Sequence, residues 1–342
     1  MRHSGTISVL IVDDSKVFCE LAARGIEEDK QINVIGFAGD PFAARDKILE
    51  LEPDVLILDI EMPKMDGLTF LKKLMPQYPL PTIVVSGREQ NILKALEAGA
   101  VDYVQKPGSY GAENTVTFMH ELIVKIKIAS MANVSAYKSG CVAGVSGEGK
   151  TIKSGKVIAI GASTGGTEAI YAVLKDLPKN MPGIVIVQHM PENFTKMYAE
   201  RLNSSCRMAV MEAKDGDYVE QGKVLLAPGG YHMKLLKSEG GYRVNCFMEE
   251  KVNGHRPSVD VLFNSVAKNV GSYAVGVILT GMGYDGAKGI LEMRRKGAYT
   301  IGQDENTSIV YGMPKVAYDI GGIDEQLPLN RIAQKLSSLV YA

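Results

Sequence analysis

The chain has 342 residues, of which 46% are hydrophobic and 23% charged, a composition typical of folded globular domains. The formal net charge of −1 provides no overall field that would attract nucleic acid or an anionic membrane. The longest apolar runs are far too short to span a bilayer, and the N-terminus lacks the pattern of a signal peptide. The four cysteines are scattered and form no C-x-x-C pair. We therefore expect a reduced, cytoplasmic protein that does not bind nucleic acid and does not insert into the membrane.

The first 129 residues alternate short apolar runs with longer amphipathic ones. We expect strands over residues 8–12, 33–37, 55–58, 82–85 and 102–104 and helices over 15–29, 41–51, 66–76, 90–98 and 114–129. Five strands that alternate with five helices form a doubly wound parallel sheet. The near-continuous Val, Ile and Leu content of the strands fits a sheet that is covered on both faces.

Residues 130–155 have no apolar period and are rich in Ser, Gly, Lys and Ala, which predicts an interdomain linker. A second alternation fills residues 156–342. Its predicted strands are 157–160, 184–187, 224–226, 274–279 and, more weakly, 299–302. Its predicted helices are 166–176, 193–204, 258–269 and 284–296, and residues 231–249 resemble a hairpin. The fold class predicted for the chain is therefore α/β, with two doubly wound parallel-sheet domains.

Five polar side chains stand at strand ends of the first domain: Asp13 and Asp14, Asp59, Ser86 and Lys106. The ligand crevice of an open parallel sheet lies outside the carboxyl ends of its strands, so these side chains should converge there. A single acidic residue at such a place could simply cap a helix. Three carboxylates in one crevice instead need a hard cation such as Mg²⁺ among them. With a lysine and a hydroxyl nearby, the cluster could bind and transfer a phosphoryl group.

The motifs around these positions resemble those of the response-regulator receiver family, which has a flavodoxin-like fold. Residues 9–15 read Val-Leu-Ile-Val-Asp-Asp-Ser, and residues 59–67 read Asp-Ile-Glu-Met-Pro-Lys-Met-Asp-Gly. Val-Val-Ser at 84–86 and Val-Gln-Lys-Pro at 104–107 complete the pattern.

This resemblance assigns a role to each polar residue of the crevice. It implies that Asp59 accepts a phosphoryl group and that Mg²⁺ is held by Asp13, Asp14 and Asp59. It also implies that Ser86 and Lys106 contact the phosphoryl group and that Tyr103 is the aromatic switch residue.

The second domain opens with a candidate nucleophile. Residues 161–165 read Gly-Ala-Ser-Thr-Gly and fit G-x-S-x-G, with a predicted strand before Ser163 and a predicted helix after it. In that setting a sharp turn exposes the serine hydroxyl, and helix N–H groups face a developing oxyanion. The competing interpretation is a glycine-rich turn in which Ser163 caps the helix.

A histidine and an aspartate follow two other strands of the same domain. His189 comes after the run 184–187, and Asp285 follows the run 274–279 across a glycine-rich segment. Alone, His189 could be a satisfied buried histidine and Asp285 a helix cap. Together with Ser163 they supply a nucleophile, a base and a group that orients the base, all at one sheet edge. The chain order Ser, His, Asp differs from the Ser, Asp, His order of α/β-hydrolases.

Four motifs of this domain, with the receiver before them, resemble the CheB family of chemotaxis protein-glutamate methylesterases. They are Gly-Ala-Ser-Thr-Gly-Gly at 161–166, Gln-His-Met at 188–190, His-Arg-Pro-Ser-Val-Asp at 255–260 and Leu-Thr-Gly-Met-Gly-Tyr-Asp-Gly at 279–286. The resemblance covers nearly the whole chain and implies a Rossmann-like esterase domain.

The resemblance also implies roles in this second site. Ser163 would be the nucleophile, His189 the base and Asp285 its orienter. Thr164 and Met282 would line the site, with the Met282 N–H as a candidate oxyanion donor. His255 and Arg256 belong to the family signature, but the sequence assigns them no chemical role.

The implied activity is hydrolysis of glutamate γ-methyl esters on methyl-accepting chemotaxis receptors, with deamidation of receptor glutamines as a second activity. The histidine kinase CheA would phosphorylate Asp59, and phosphorylation would activate the hydrolase. Mg²⁺ is expected in the receiver domain, and no cofactor is expected at the esterase site.

Three other interpretations compete with this one. Residues 144–151 match the Walker A pattern of a P-loop, but no strand precedes them and no helix is predicted after them. A receiver with a non-enzymatic, DNA-binding output would need a basic recognition helix, which the second half does not show. The glycines of 161–166 do not fit the G-x-G-x-x-G pattern of a nicotinamide-binding oxidoreductase.

Overall fold

The computed structural model describes residues 5–63, 65–108, 111–138 and 155–341. The chain divides into two compact units, Met1–Tyr137 and Lys138–Ala342. The Walker A match at 144–151 lies outside the described residues. Within the ranges given above, no helix is both long and apolar enough to cross a membrane.

The first unit is a five-stranded sheet with helices between its strands. The strands are β1 (Ile7–Val12), β2 (Ile32–Ala38), β3 (Val55–Asp59), β4 (Thr82–Ser86) and β5 (Asp102–Gln105). The helices are α1 (Lys16–Ile26), α2 (Pro41–Leu51), α3 (Gly67–Gln77), α4 (Glu89–Glu97) and α5 (Ala112–Ser130), followed by a 3-10 helix at Val134–Lys138. All neighbouring strands pair in parallel, in the order β2-β1-β3-β4-β5.

Side-chain caps start three of these helices. The Ser15 hydroxyl accepts a hydrogen bond from the Phe18 amide, and Asp40 and Asp66 cap α2 and α3 in the same way. Such caps satisfy amides that have no partner within the helix. Ser15 is therefore the N-cap of α1, which begins at Lys16.

The second unit is a seven-stranded parallel sheet with a separate hairpin. Its strands are β6 (Val157–Ala162), β7 (Gly183–Gln188), β8 (Ala209–Glu212), β9 (Lys223–Leu226), β12 (Ala274–Ile278), β13 (Tyr299–Gln303) and β14 (Glu325–Leu327), and the antiparallel hairpin is β10 (His232–Ser238) with β11 (Gly241–Phe247). The helices are α6 (Gly166–Asp176), α7 (Glu192–Ser205), α8 (Val259–Asn269), α9 (Ala287–Arg295), α10 (Met313–Asp319) and α11 (Leu329–Val340), with a 3-10 helix at Gly271–Tyr273. The strand order is β14-β13-β12-β6-β7-β9-β8.

Strand order places one crevice in each unit. In the first, β1 lies between β2 and β3, and in the second, β6 lies between β7 and β12. In each sheet the chain adds strands first on one side of this central strand, β1 or β6, and then on its other side. Ligands of such sheets bind at the carboxyl ends of the strands, beside the point where the direction reverses. Every residue of β6 and β7 is buried, so the crevice of the second unit rests on a rigid apolar core.

The α/β fold class with two parallel sheets is confirmed, and so are the predicted strands and the hairpin. Four elements of the second unit were not predicted: β8, α10, β14 and α11. The strands among them are short edge strands, and β14 has only half-buried residues, so neither has the apolar run of a central strand. The first compact unit ends at Tyr137, within the 3-10 helix Val134–Lys138 that follows α5.

Candidate active site

Ser163 lies on the turn between β6 and α6, at the point where the strand order reverses. Its amide donates to the Thr280 carbonyl at 3.0 Å, and its own carbonyl accepts from the Gly166 amide at 2.7 Å. Gly165 has φ +75°, and a Cβ on it would lie 2.6 Å from Ile309, so both backbone and space require glycine there. The half-buried Ser163 side chain is therefore held on a sharp turn directly before a helix N-terminus.

His189 lies beside Ser163 because their strands are neighbours in register. Ala162 of β6 pairs with Gln188 of β7, and the His189 amide donates to the Ala162 carbonyl at 3.1 Å. The buried Gln188 amide adds a cross-link, since its Nε2 donates to the Ser163 carbonyl at 2.9 Å. Sequence analysis did not assign Gln188 a role, although it belongs to the quoted Gln-His-Met motif.

Asp285 reaches the same edge from the segment that follows β12. Its Oδ2 lies 2.8 Å from Nε2 of His189, and its side chain is 2% exposed. Four more hydrogen bonds reach its two oxygens, from the Val259 and Asp260 amides, the Ser258 hydroxyl and the Asn253 side-chain amide.

These donors determine the charge state of Asp285. Burial alone would raise its pKa, but the hydrogen bonds from His189, Asn253 and Ser258 and the charge of His189 outweigh burial and hold the pKa well below its ordinary value. Asp285 is therefore ionised at neutral pH and accepts hydrogen bonds on both oxygens. An ionised carboxylate at Nε2 favours the His189 tautomer that carries its proton on Nε2.

The second ring nitrogen of His189 is left as an acceptor. Nδ1 is buried and has no hydrogen-bond partner within the described ranges. Ser163 and His189 are therefore backbone neighbours whose side chains are not directly hydrogen-bonded in this structure. Catalytic hydrogen bonds are often long without substrate and shorten when it binds.

Gly281 lies directly against the Ser163 turn. A Cβ on Gly281 would lie 2.7 Å from the Ser163 Cβ and 2.5 Å from the Met313 sulfur, so the chain passes closely over the serine. Met282 follows at once, and its side chain is partly exposed at the rim. The Thr164 side chain is largely buried, while its carbonyl accepts from the Thr280 hydroxyl at 3.0 Å. Thr164 is thus the next residue after Ser163, and Met282 is the next residue after Gly281, which lies against Ser163.

His255 stacks on the face of His189. The ring centroids are 3.7 Å apart and the planes differ by 9°. Burial, and then the proximity of His189, lowers the pKa of His255 to about 4, so it is neutral near pH 7. The neighbouring Arg256 contacts the backbone, since its Nη1 donates to the Glu249 carbonyl at 2.7 Å. His255 therefore lies against the candidate base, although its sequence motif assigns it no chemical role.

The first unit brings together its three predicted carboxylates. Oxygens of Asp13, Asp14 and Asp59 lie within 4.8 Å of one another, with Asp13 and Asp59 buried and Asp14 exposed. Nζ of Lys106 lies 2.7 Å from Oδ2 of Asp13 and 3.1 Å from Oδ2 of Asp59. Burial alone would lower the pKa of Lys106, but the hydrogen bonds and charges of Asp13 and Asp59 outweigh it and raise the pKa.

The other two predicted residues of this crevice are oriented differently. The Ser86 hydroxyl is hydrogen-bonded within its own loop. It accepts from the Arg88 amide at 3.0 Å and donates to the Arg88 carbonyl at 3.2 Å. Tyr103 is buried, and its ring lies 4.5 Å below the ammonium of Lys125. Neither contact joins these residues to the carboxylate cluster.

The cluster has the chemistry of a magnesium site. Its oxygens are hard ligands of the kind that Mg²⁺ takes, and one of them, Oδ1 of Asp59, is buried with no hydrogen-bond partner in the described part of the chain. An unsatisfied buried carboxylate oxygen is costly, and a bound cation would satisfy it.

Comparisons with known proteins match both units of the chain. A CheB methylesterase family model matches residues 158–336, and a response regulator receiver domain model matches residues 9–112. The chain is 53% identical to the protein-glutamate methylesterase/protein-glutamine glutaminase 2 of Syntrophomonas wolfei over 335 residues, 98% of each chain. The chain belongs to the CheB methylesterase family. A similarly named relative from Syntrophotalea carbinolica is 50% identical over 345 residues, again 98% of each chain.

A solved structure is similar to the second half of this CheB-family chain. The crystal structure of the Thermotoga maritima CheB methylesterase catalytic domain superposes with a TM-score of 0.54 and 42% identity. It covers 55% of this chain and all of that domain. The second unit is thus a CheB catalytic domain, and the first unit is a receiver domain.

Proposed function

We propose that this CheB-family chain hydrolyses glutamate γ-methyl esters on methyl-accepting chemotaxis receptors and deamidates receptor glutamines at the same site. The observation that carries the proposal is the His189–Asp285 hydrogen bond of 2.8 Å beside the Ser163 turn, with Nδ1 of His189 left as the acceptor. The names of the relatives, protein-glutamate methylesterase/protein-glutamine glutaminase, support both activities.

Acyl transfer would begin at the Ser163 hydroxyl. Its oxygen attacks the ester carbonyl carbon while Nδ1 of His189 takes the hydroxyl proton. Asp285 stabilises the resulting imidazolium through Nε2. The imidazolium then protonates the departing methoxide, methanol leaves, and a glutamyl ester of Ser163 remains. Water, deprotonated by the same Nδ1, hydrolyses that ester and restores the Ser163 hydroxyl and the γ-carboxylate of the receptor's glutamate residue. A glutamine substrate loses ammonia in place of methanol.

The oxyanion of each tetrahedral intermediate needs donors that are fixed before the reaction. We assign this role to the Met282 N–H, because the adjacent Gly281 already lies against the Ser163 Cβ. Thr164 would line the same side of the pocket. The N-terminus of α6, which begins at Gly166, adds the positive end of its dipole near the nucleophile.

The receiver unit would control this reaction. We propose that Asp13, Asp14 and Asp59 would hold Mg²⁺, whose charge would offset that of the incoming phosphoryl group, and that Asp59 accepts that group from the histidine kinase CheA. Lys106, already bonded to Asp13 and Asp59, would bind a phosphoryl oxygen. Ser86 would have to release Arg88 to do the same, and Tyr103 would respond as the switch residue. Phosphorylation then activates the hydrolase.

The test is release of labelled methanol from methylated chemoreceptors in membranes. Wild type should release methanol, and Ser163→Ala should lower the rate by about 10⁴-fold or more. Substantial activity of Ser163→Ala would refute the assignment of the nucleophile. A small phosphodonor with Mg²⁺ should accelerate wild type, and the absence of any acceleration would refute control by the receiver.

A further inference from the structure

The chain makes a tight turn at Asn253 and Gly254, directly before His255. Both turn residues have positive φ, +53° and +82°, and Val252 and His255 form an antiparallel bridge around them. Asn-Gly is the favoured pair for a two-residue turn of this hand, because Asn tolerates the left-handed region and Gly has no Cβ. The backbone thus fixes where the Asn253 side chain points.

That side chain links two buried carboxylates. Nδ2 of Asn253 donates to Oδ1 of Asp285 at 2.8 Å and to Oδ2 of Asp260 at 2.8 Å. Asp260 is 5% exposed and also accepts from the Gly289 amide at 2.6 Å. Two carboxylates this close in a buried site repel each other. One amide group that donates a hydrogen bond to each carboxylate relieves that repulsion without adding charge.

The same turn also reaches the base. His255 closes the turn and stacks on His189, whose Nε2 is bonded to Asp285. The turn therefore touches the His189–Asp285 pair twice, at the carboxylate through Asn253 and at the imidazole through His255. The charged and titratable groups that face the pair are Asp260, His255 and, next to His255, Lys251.

We propose that Asn253 is a positioning residue for ester hydrolysis, which holds Asp285 against His189 and screens it from the negative charge of Asp260. This inference rests on the proposed function. Asn253 is not a catalytic residue, because it acts on the base only through Asp285. Sequence analysis did not single it out, and its Asn-Gly signal reads as an ordinary turn.

The experiment uses two substitutions in the full-length chain. Asn253→Asp has nearly the same shape and tolerates the same backbone region, but it replaces the donor with a third carboxylate. Asn253→Gly keeps the turn and only removes the amide. The control is Asn245→Asp, because Asn245 on the hairpin donates to Asp215 at 2.8 Å in an exposed Asn–Asp pair outside the site. Each variant is assayed for methanol release from methylated chemoreceptor membranes between pH 5 and 9, beside Ser163→Ala.

We expect Asn253→Gly to lower kcat about 10-fold with KM unchanged, the effect of one hydrogen bond to a charged group. Asn253→Asp should lower kcat further and move the acid limb of kcat/KM to higher pH by about half a unit to one unit. The direction follows because an added negative charge stabilises a nearby positive charge. Asn245→Asp should keep both kcat and the acid limb.

Each result separates this inference from the proposed function. Asn253 does not position the His189–Asp285 pair if Asn253→Asp lowers kcat without moving the acid limb of kcat/KM. The same conclusion follows if both Asn253 variants match wild type while Ser163→Ala is inactive. If Ser163→Ala itself keeps wild-type activity, the proposed function is wrong. Should Asn253→Asp fail to fold, Asn253→Gly decides the matter through its kcat, because its backbone conformation is unchanged.

Discussion

Asp285→Asn is the substitution whose cost follows most directly from the structure. Asp285 accepts five hydrogen bonds: Oδ2 takes those of His189 and Val259, and Oδ1 takes those of Asn253, Ser258 and Asp260. An asparagine of the same shape has only one oxygen, so one of the two groups of donors must face an NH₂ group.

Both orientations of the new amide are costly. With the oxygen towards His189, the donors of Asn253 and Asp260 lose their acceptor, whereas the Ser258 hydroxyl can rotate and accept. Two unsatisfied buried donors cost about 1–3 kcal/mol each, so we expect the free energy of unfolding to fall by about 2–6 kcal/mol. With the NH₂ towards His189, Nε2 becomes the acceptor and Nδ1 carries the proton, so the ring cannot take the proton of Ser163. In a serine-protease triad the equivalent tautomer error lowers kcat about 10⁴-fold.

The assay pairs methanol release with urea unfolding. We expect Asp285→Asn to lose between about 10² and 10⁴ in kcat in addition to stability. The matched control is Asp324→Asn, because Asp324 accepts from Thr300 and pairs with Arg294 at 2.7 Å away from the site. The control should lose stability and keep its rate. An Asp285→Asn variant with a rate within a few-fold of wild type would refute the role given to Asp285.

Three further predictions concern other parts of the two sites. Gly281→Ala would put a methyl group 2.7 Å from the Ser163 Cβ, so we expect a loss of kcat of about 100-fold or more in the methanol assay, and a normal rate would contradict the close approach. The pKa of His255 is lowered to about 4, so below about pH 6.5 the unfolded chain binds a proton at this ring that the folded chain does not bind. The free energy of unfolding should therefore fall by about 1–2 kcal/mol between pH 6.5 and pH 4, a value that allows for the partly solvated ring. Urea unfolding of His255→Phe should lack that part of the fall. Asp59→Asn should abolish acceleration by a small phosphodonor while leaving basal methanol release intact, and persistent acceleration would show that another group is phosphorylated.

The strand-end rule predicted much of both sites from the sequence. Asp13, Asp59 and Lys106 each end an apolar strand, and the structure brings their side chains within hydrogen-bonding or ion-pair distance. Ser163 and His189 end adjacent strands, so their proximity is a consequence of register. These contacts were predictable because a parallel sheet fixes the position of strand ends.

The contacts made by the segment 249–258 were not predictable in the same way. This segment has no apolar period. It reaches the site through a turn, an isolated two-residue β-bridge and side-chain hydrogen bonds to residues that are distant in the sequence. The stacking of His255 and the bridge from Asn253 depend on where that irregular chain runs in three dimensions. Nothing in the sequence indicates which ring nitrogen of His189 faces Asp285.

Double substitution tests most directly whether Ser163, His189 and Asp285 act as one unit. Groups that act in a single proton transfer have grossly non-additive effects, because removing one makes the others irrelevant. The measurement compares the residual methanol release of Ser163→Ala, Asp285→Asn and the double variant. We predict that the double variant is as slow as Ser163→Ala and no slower. A double variant slowed by the product of the two single effects would contradict the account, because Asp285 would then act independently of the serine.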